Sequence, residues 1–438
     1  MPILRIRENF STQFHQVSSI QNYDSKWKDV LWQKMEALNE FRLDCNKLSK
    51  EVSCIHVKKT EDKFEIETSY LIGLDYIYED VPLLVEPKFS HGTDDYSVDF
   101  YKILFDSLPY IKSNEVISDL YYVNFEGKTI EIEQKDDFLT PIIVIQFLNS
   151  LKKICRSGLQ KGYYIKEDNL NEKVKGKILI KETIKRNHLN ANFSKTYCQY
   201  QEFGFNTKEN QFLKFAFQFC LNYLNQFKQL DLFQNIENTI GIIRSAMSSI
   251  DLVNRFRKEL VVSKNPLFPE YEKAIGLANL ILKRNAFNIT NTTANKVKTY
   301  PYWINMSKLF ELHVVKLLRM SFPNGVIFQK EYAGRIPDIV LNTELHKAVI
   351  DVKYKDYSSR SMDNEDIRQV AAYTRMKGVF KELQLQSTNV LDGIIIYPKV
   401  ASEYKTLDSS VLRKKIELDD YYNIFKLEVE IPVINKTN

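Results

Sequence analysis

The sequence predicts a multidomain α/β protein in three parts: a mixed α/β region with a substantial sheet (1–160), a mainly helical middle region (161–290) and an α/β domain (291–438). Three observations carry this. Residues 52–89 read as strands (SCIHV, KFEIETSYL, VPLLVEPKF), and KENQFLKFAFQFCLNYLNQF (208–227) has a broad apolar helical face. Residues 303–400 run helix, strand, strand, helix, strand. At 438 residues the chain is long enough for more than one core.

Taken in order, the spacing of Trp27, Leu31, Met35, Leu38, Phe41, Cys45 and Leu48 predicts an amphipathic helix from Ser25 to Leu48. Beyond the strands, YYVNFEGKTIEIE predicts a hairpin turning at Glu126-Gly127. Thr140 is placed as an N-cap, Pro141 as the first helical residue and Gly158 as the helix stop, and a domain boundary is expected near Thr140. A short strand pair is expected around Gly176-Lys177, then helices, with further ones at 230–248 and 269–285. FNITNTTANKVKTYPY (287–302), rich in Asn and Thr and aperiodic, reads as a linker or an exposed crossing segment.

Composition narrows the function. With 44% hydrophobic and 27% charged residues the chain is neither disordered nor collagen-like. Five cysteines, an odd number with no C-x-x-C pair, argue against a disulfide framework or zinc ribbon and fit a reducing compartment. MPILRIRENF lacks the apolar run of a secretory signal, and the longest apolar stretch, Pro141 to Leu148, is too short to span a bilayer, so a cytoplasmic protein with no membrane partner is expected. The net charge of +5 places no global field on nucleic acid, so any such surface must be local. Lys173, Lys175, Lys177, Lys181, Lys185 and Arg186 could line a DNA path or a partner interface, or simply form a solvated face. Neither G-x-x-x-x-G-K-[ST] nor G-x-G-x-x-G is present, so the chain itself is expected to bind no nucleotide.

The chemistry concentrates in residues 303–400. In WINMSKLFELHVVKLLRM, Met306, Phe310, Val314 and Leu317 share a helical face with Glu311 beside it. A strand ending in Arg335-Ile336-Pro337-Asp338 and a second from Ala348 to Tyr354 would bring Asp338 and Asp351 together. In an extended strand Asp351 and Lys353 point the same way. Two carboxylates make an oxygen-rich site of the kind Mg²⁺ prefers, with Mn²⁺ as a substitute, and leave room for water. An ammonium two residues away can orient that water or stabilise charge on a phosphate. Glu311 could bind a second metal or hold a metal water, and Val352 is counted with Asp338, Asp351 and Glu311 in the metal set.

Downstream, Gln369 and Tyr373 are four apart on one helical face, placed to contact the scissile strand or brace the lysine. Taken singly, Pro-Asp is usually a turn and Asp-x-Lys a solvated edge pair. In this order and on these elements, the residues read as a metal-assisted phosphodiesterase. Lys355 is expected to face solvent or DNA, His313 to be packed or capping, and Cys198 and Cys220 to be inert core residues.

The segment resembles a PD-(D/E)xK nuclease domain, and the wording NMSKLFELHV, RIPDIVL, IDVKYK, IRQVAAY and GIIIYP resembles the McrC family, the nuclease subunits of McrBC-type modification-dependent restriction systems. VEPKF (85–89), Gly176-Lys177-Ile178 and YCQYQEFGFNTKENQFLKFAF (197–217) extend the resemblance over most of the chain. It implies a restriction-endonuclease-like C-terminal domain and a Mg²⁺-dependent endonuclease on double-stranded DNA. It also implies a McrB-like AAA+ GTPase partner that reads the DNA and is stimulated by this subunit, with residues 1–160 the candidate docking region. Asn305 and Lys177 depart from the family wording, which commonly has Asp and Arg there. A RecB-like repair nuclease, or a non-catalytic scaffold that activates an AAA+ partner, is the alternative.

Overall fold

The computed structural model of the chain describes residues 3–7, 11–15, 40–44, 53–60, 63–78, 81–87, 96–107, 110, 120–124, 126–133, 137–225, 234–253, 256, 260, 265–288, 296–355, 363–400, 412 and 415–435. Two compact units divide the chain, one of residues 1–141 with 293–438 and one of residues 142–292. The architecture is multidomain α/β.

In the first unit, Leu4–Arg7, Val81–Glu86, Leu71–Tyr78, Tyr302–Asn305 and Tyr121–Val123 lie side by side in that order. Only the outer pair, Leu4–Arg7 with Val81–Glu86, is parallel. Leu71, Ile72, Leu74, Leu83, Leu84, Tyr302, Trp303 and Ile304 are all buried, so this sheet holds a core on both faces. Gly73 lies opposite Trp303, and a Cβ there would stand 2.1 Å from the Tyr302 carbonyl oxygen, so the close approach demands glycine.

Ser11–His15, Lys63–Thr68, Ser53–Thr60 and Glu40–Asp44 form a separate antiparallel sheet. The strands expected over 52–89 are found. The helix expected from Ser25 to Leu48 is corrected at its C-terminal end, where Glu40–Asp44 is a strand paired with Ser53–Thr60. Phe41 and Leu43 fit a period of two as readily as the longer helical one, and pairing to a neighbouring strand decides between them. Residues 25–39 lie outside the described residues.

The expected hairpin at Glu126-Gly127 is corrected as well. Tyr121–Val123 pairs with Tyr302–Asn305, while Ile130–Glu133 pairs with Lys296–Thr299. Much of the segment read as a linker is therefore sheet, because residues 296–305 supply both partners.

Helix Leu139–Ser157 starts with Asp137 rather than Thr140 as its capping side chain, since Asp137 accepts from the Thr140 N–H and hydroxyl. Gly158 ends it in the left-handed region at φ +98°. The second unit pairs Lys195–Gly204 with Gly162–Asn171 on one side and Lys177–Ile178 on the other, followed by helices Lys208–Leu224, Gln234–Ala246 and Pro269–Asn288. Its buried Asn210 accepts from the Tyr271 hydroxyl (2.7 Å) and donates to the Phe205 carbonyl (2.7 Å), tying the last helix to the first.

The second large sheet of the first unit orders Val326–Phe328, Ile339–Asn342, Lys347–Val352, Asp392–Val400, Ile424–Ile431 and Ile416–Glu417. Its first three strands are antiparallel, and Lys347–Val352, Asp392–Val400 and Ile424–Ile431 are parallel. Ile394, Ile395, Ile396 and Tyr397 are all buried, the continuous run of a central parallel strand. Helix Met306–Ser321 precedes the sheet, and Asn364–Tyr373 connects two of the parallel strands. No helix among the described residues is long and apolar enough to cross a membrane. Cys54, Cys155, Cys198 and Cys220 are free thiols.

Candidate active site

Asp338 stands immediately before strand Ile339–Asn342, not at the end of the preceding strand as the sequence suggested. Pro337 has no N–H to give a ladder, and a Tyr332–Arg335 bridge closes the turn before it, so the strand begins at Ile339, with the Asp338 carbonyl just ahead of it accepting from the Gln329 N–H. The Val352 N–H donates to Asp338 Oδ2 at 2.8 Å, pinning this carboxylate to the next strand.

Asp351, on that strand, is 1% exposed, and Lys353 Nζ lies 2.9 Å from its Oδ2. The ammonium also donates to Gln369 Oε1 (2.8 Å), and Gln369 Nε2 donates to the Tyr373 hydroxyl (3.0 Å). The i, i+4 pair on helix Asn364–Tyr373 thus braces the lysine. Glu311, buried on helix Met306–Ser321, accepts from Lys308 Nζ through both oxygens (2.9 and 2.8 Å) and from Gln329 Nε2 (2.8 Å). Asn305, a departure from the family wording, caps this helix by accepting from the Lys308 N–H.

Burial, then repulsion from Asp338, pushes Asp351 up to about 7 and Glu311 up to about 8. Burial raises Asp338 too, against the Val352 N–H and the two lysines. The Lys353 ammonium is disfavoured by burial, but Asp351, Asp338 and Asp366 outweigh this and hold it above its ordinary value. The three carboxylates therefore crowd a site that is under-supplied with positive charge.

That imbalance is the test of fit for a cation. Asp351 Oδ2 is buried, and the Lys353 ammonium 2.9 Å away is the cation that faces it. Among the described residues no three His, Cys, Asp or Glu side chains form a cage. Mg²⁺ needs none, because it is commonly held by one or two carboxylates and keeps several waters. Asp338 and Asp351 fit that donor set. Val352 has only its main-chain carbonyl to offer, since its side chain is buried and its N–H is given to Asp338.

Sequence reasoning passed over Asp366, Lys308 and Gln329. Asp366 is buried, accepts from Lys355 Nζ (3.0 and 3.1 Å) and the Tyr397 hydroxyl (3.1 Å), and lies 4.0 Å from Lys353 Nζ. Its helical spacing of three from Gln369 was the available signal. His313 is packed: Nε2 meets the Glu430 carbonyl at 3.1 Å, and burial pushes the imidazole down to about 4. Cys198 and Cys220 are fully buried, and burial raises the Cys220 thiol. Lys173, Lys175, Lys177, Lys181, Lys185 and Arg186 are exposed in the second unit, with Lys175 over the Tyr200 ring and Arg186 over the Tyr197 ring.

Fold and site together define an α/β protein with an acidic, lysine-braced centre at the start of one sheet strand and the end of its neighbour. Residues 67–398 match the family described as McrBC 5-methylcytosine restriction system component. The chain belongs to that family. Two solved Thermococcus gammatolerans assemblies are similar: a half-complex of McrB AAA+ hexamers with bound McrC, and the McrBC complex. The first is 16% identical, covers 98% of this chain and 94% of that one, with a TM-score of 0.38. The second is 14% identical, covers 73% and 88%, with a TM-score of 0.28. Comparison with curated proteins gave no match.

Proposed function

We propose that this chain is a McrC-type endonuclease subunit that hydrolyses DNA phosphodiesters with Mg²⁺, in the cytoplasm, as part of a GTP-dependent restriction complex. The observation that carries the reading is the convergence of Asp338, Asp351 and Lys353 beside Gln369 and Tyr373. On this reading the C-terminal α/β sheet is a PD-(D/E)xK nuclease domain.

Asp338 and Asp351 would hold the metal, with Glu311 flanking them, and the chemistry such an ion would supply is acidification of water and neutralisation of phosphate charge. Lys353 is kept protonated by its carboxylate neighbours and aimed by Gln369, so a preformed cation meets the charge that builds on the phosphate under attack. Tyr373 fixes the Gln369 amide, and with it the lysine.

Family membership supports an AAA+ GTPase partner of the McrB kind, and the first Thermococcus gammatolerans assembly is one of McrB AAA+ hexamers with bound McrC. This chain stimulates that GTPase and supplies the cutting, and the partner binds the nucleotide. The test is Asp351→Ala in the full complex with GTP and Mg²⁺. Cleavage is expected to be lost with partner binding retained, and cutting at the wild-type rate would overturn the assignment.

A further inference from the structure

Lys353 is followed, two residues on, by a second lysine that the mechanism does not use. Lys355 is exposed, with 49% of its side chain open to solvent, yet it is not loose. Its Nζ sits 3.0 and 3.1 Å from the two oxygens of Asp366 and 3.1 Å from Asp363 Oδ2. Asp363 is the exposed N-cap of helix Asn364–Tyr373, and Asp366 lies one turn inside it.

Asp366 is the unusual member of the group. Its side chain is 5% exposed, and a carboxylate so buried needs compensation. It receives that from Lys355, from the Tyr397 hydroxyl on the central strand at 3.1 Å, and from Lys353 at 4.0 Å. The same oxygen, Oδ1, lies 3.0 Å from Lys355 Nζ and 4.0 Å from Lys353 Nζ, so the two ammonium groups flank one carboxylate. Two like charges so placed repel unless an anion lies between them. Charges alternate along the row: Asp351, Lys353, Asp366, Lys355, Asp363.

We infer that Asp366, anchored by Tyr397, is a positioning residue that holds Lys353 and Lys355 as a two-toothed comb, Lys353 at the phosphate being cleaved and Lys355 on a neighbouring phosphate of the same strand. This rests on the nuclease reading above and deepens it. The inner tooth is rigid and mostly buried. The outer tooth is held on its solvent side by the exposed Asp363, an ion pair of small worth that a DNA phosphate can replace. Removing Asp366 leaves Lys353 with Asp351 and Gln369 and Lys355 with Asp363, and takes away the anion between the two ammonium groups.

The experiment measures kcat, KM and the salt dependence of DNA binding in the reconstituted complex for wild type, Lys355→Ala, Asp366→Asn and the double variant, with Asp351→Ala as the inactive control. Lys355→Ala should weaken DNA binding, raise KM by a larger factor than it lowers kcat, and reduce the slope of log K against log salt by about 1. Asp366→Asn should lower kcat about 10- to 100-fold, as loss of a group orienting a site residue does, and should also weaken binding. In the Lys355→Ala background it should lower kcat again but cost no further affinity. Tyr397→Phe, which removes one hydrogen bond to Asp366, should repeat the kcat effect at smaller size, and it decides the matter if Asp366→Asn does not fold. Wild-type kcat in both Asp366→Asn and Tyr397→Phe, or an unchanged salt slope in Lys355→Ala, would overturn the comb. Wild type cutting no faster than Asp351→Ala would instead overturn the nuclease reading, a result the Asp366 variants cannot imitate.

Discussion

Neutralising Asp351 should stabilise the metal-free protein while abolishing its activity. The folded state holds this carboxyl up at about 7 against an ordinary 3.8, so it binds a proton more readily than the unfolded chain does. Stability therefore falls as pH rises from about 4 to about 7, and the full cost is present above that. At 1.36 kcal/mol per pH unit the gap is worth on the order of 4 kcal/mol at pH 8, with the attraction of Lys353 already counted. Asp338 and Glu311 repel Asp351 less when they take up protons themselves, which reduces that figure. Asp351→Asn keeps the shape and removes the charge. Urea unfolding followed by tryptophan fluorescence reports on the correct unit through Trp303, which is buried in it. In EDTA at pH 8 the variant should be more stable than wild type, and at pH 5.5 the difference should shrink. A variant equally destabilised at both pH values would refute the claim that the site stores carboxylate repulsion.

Cleavage should require Mg²⁺ or Mn²⁺ and fail with Ca²⁺, which tolerates looser geometry and acidifies its water less, whereas metal-independent cutting would point to other chemistry. Lys353→Ala should retain DNA binding in an anisotropy titration while losing turnover. Full-length Asp351→Ala should stimulate the partner's GTPase as well as wild type does, and loss of stimulation would tie the two roles to one site. Gly73→Ala should lower stability by about 1–3 kcal/mol or more, measured by the same urea transition, because its methyl group would collide with the Tyr302 carbonyl.

What was legible in the sequence was whatever a short spacing determines. Asp351 and Lys353 share a strand face because residues two apart must, and Gln369 meets Tyr373 because residues four apart on a helix do. Asp338 could be placed near them from its Pro-Asp context, although the strand it belongs to begins after it. Asp366 escaped notice because its meaning comes from Tyr397, 31 residues on, in a run that reads only as buried strand. Gln329 reaches Glu311 from a residue at φ +47°, a conformation that no periodicity encodes. The same limit produced the errors of fold. Short segments such as Glu40–Asp44 and Lys296–Thr299 are strands only because a distant partner pairs with them, so local pattern alone assigned them to helix and linker.

Long-range pairing also shapes how the site is held. Strand Tyr302–Asn305 is an inner member of the sheet built from Leu71–Tyr78 and Tyr121–Val123, with Tyr302, Trp303 and Ile304 buried in it. Its last residue, Asn305, caps the helix that carries Lys308 and Glu311. The N-terminal sheet is thus covalently continuous with the acidic site through a single buried strand and cap. Farther along that helix Lys316 closes a buried ion pair with Asp106 at 2.9 Å, a second tie between residues before 141 and those after 293. Cutting the chain near residue 290 would strip an inner strand from one sheet and take Lys316 from the buried Asp106, whose other lysine, Lys102, lies farther off at 3.7 Å. Point variants such as Asp351→Ala, rather than truncation, are therefore the means to test the roles proposed for the N-terminal and C-terminal segments.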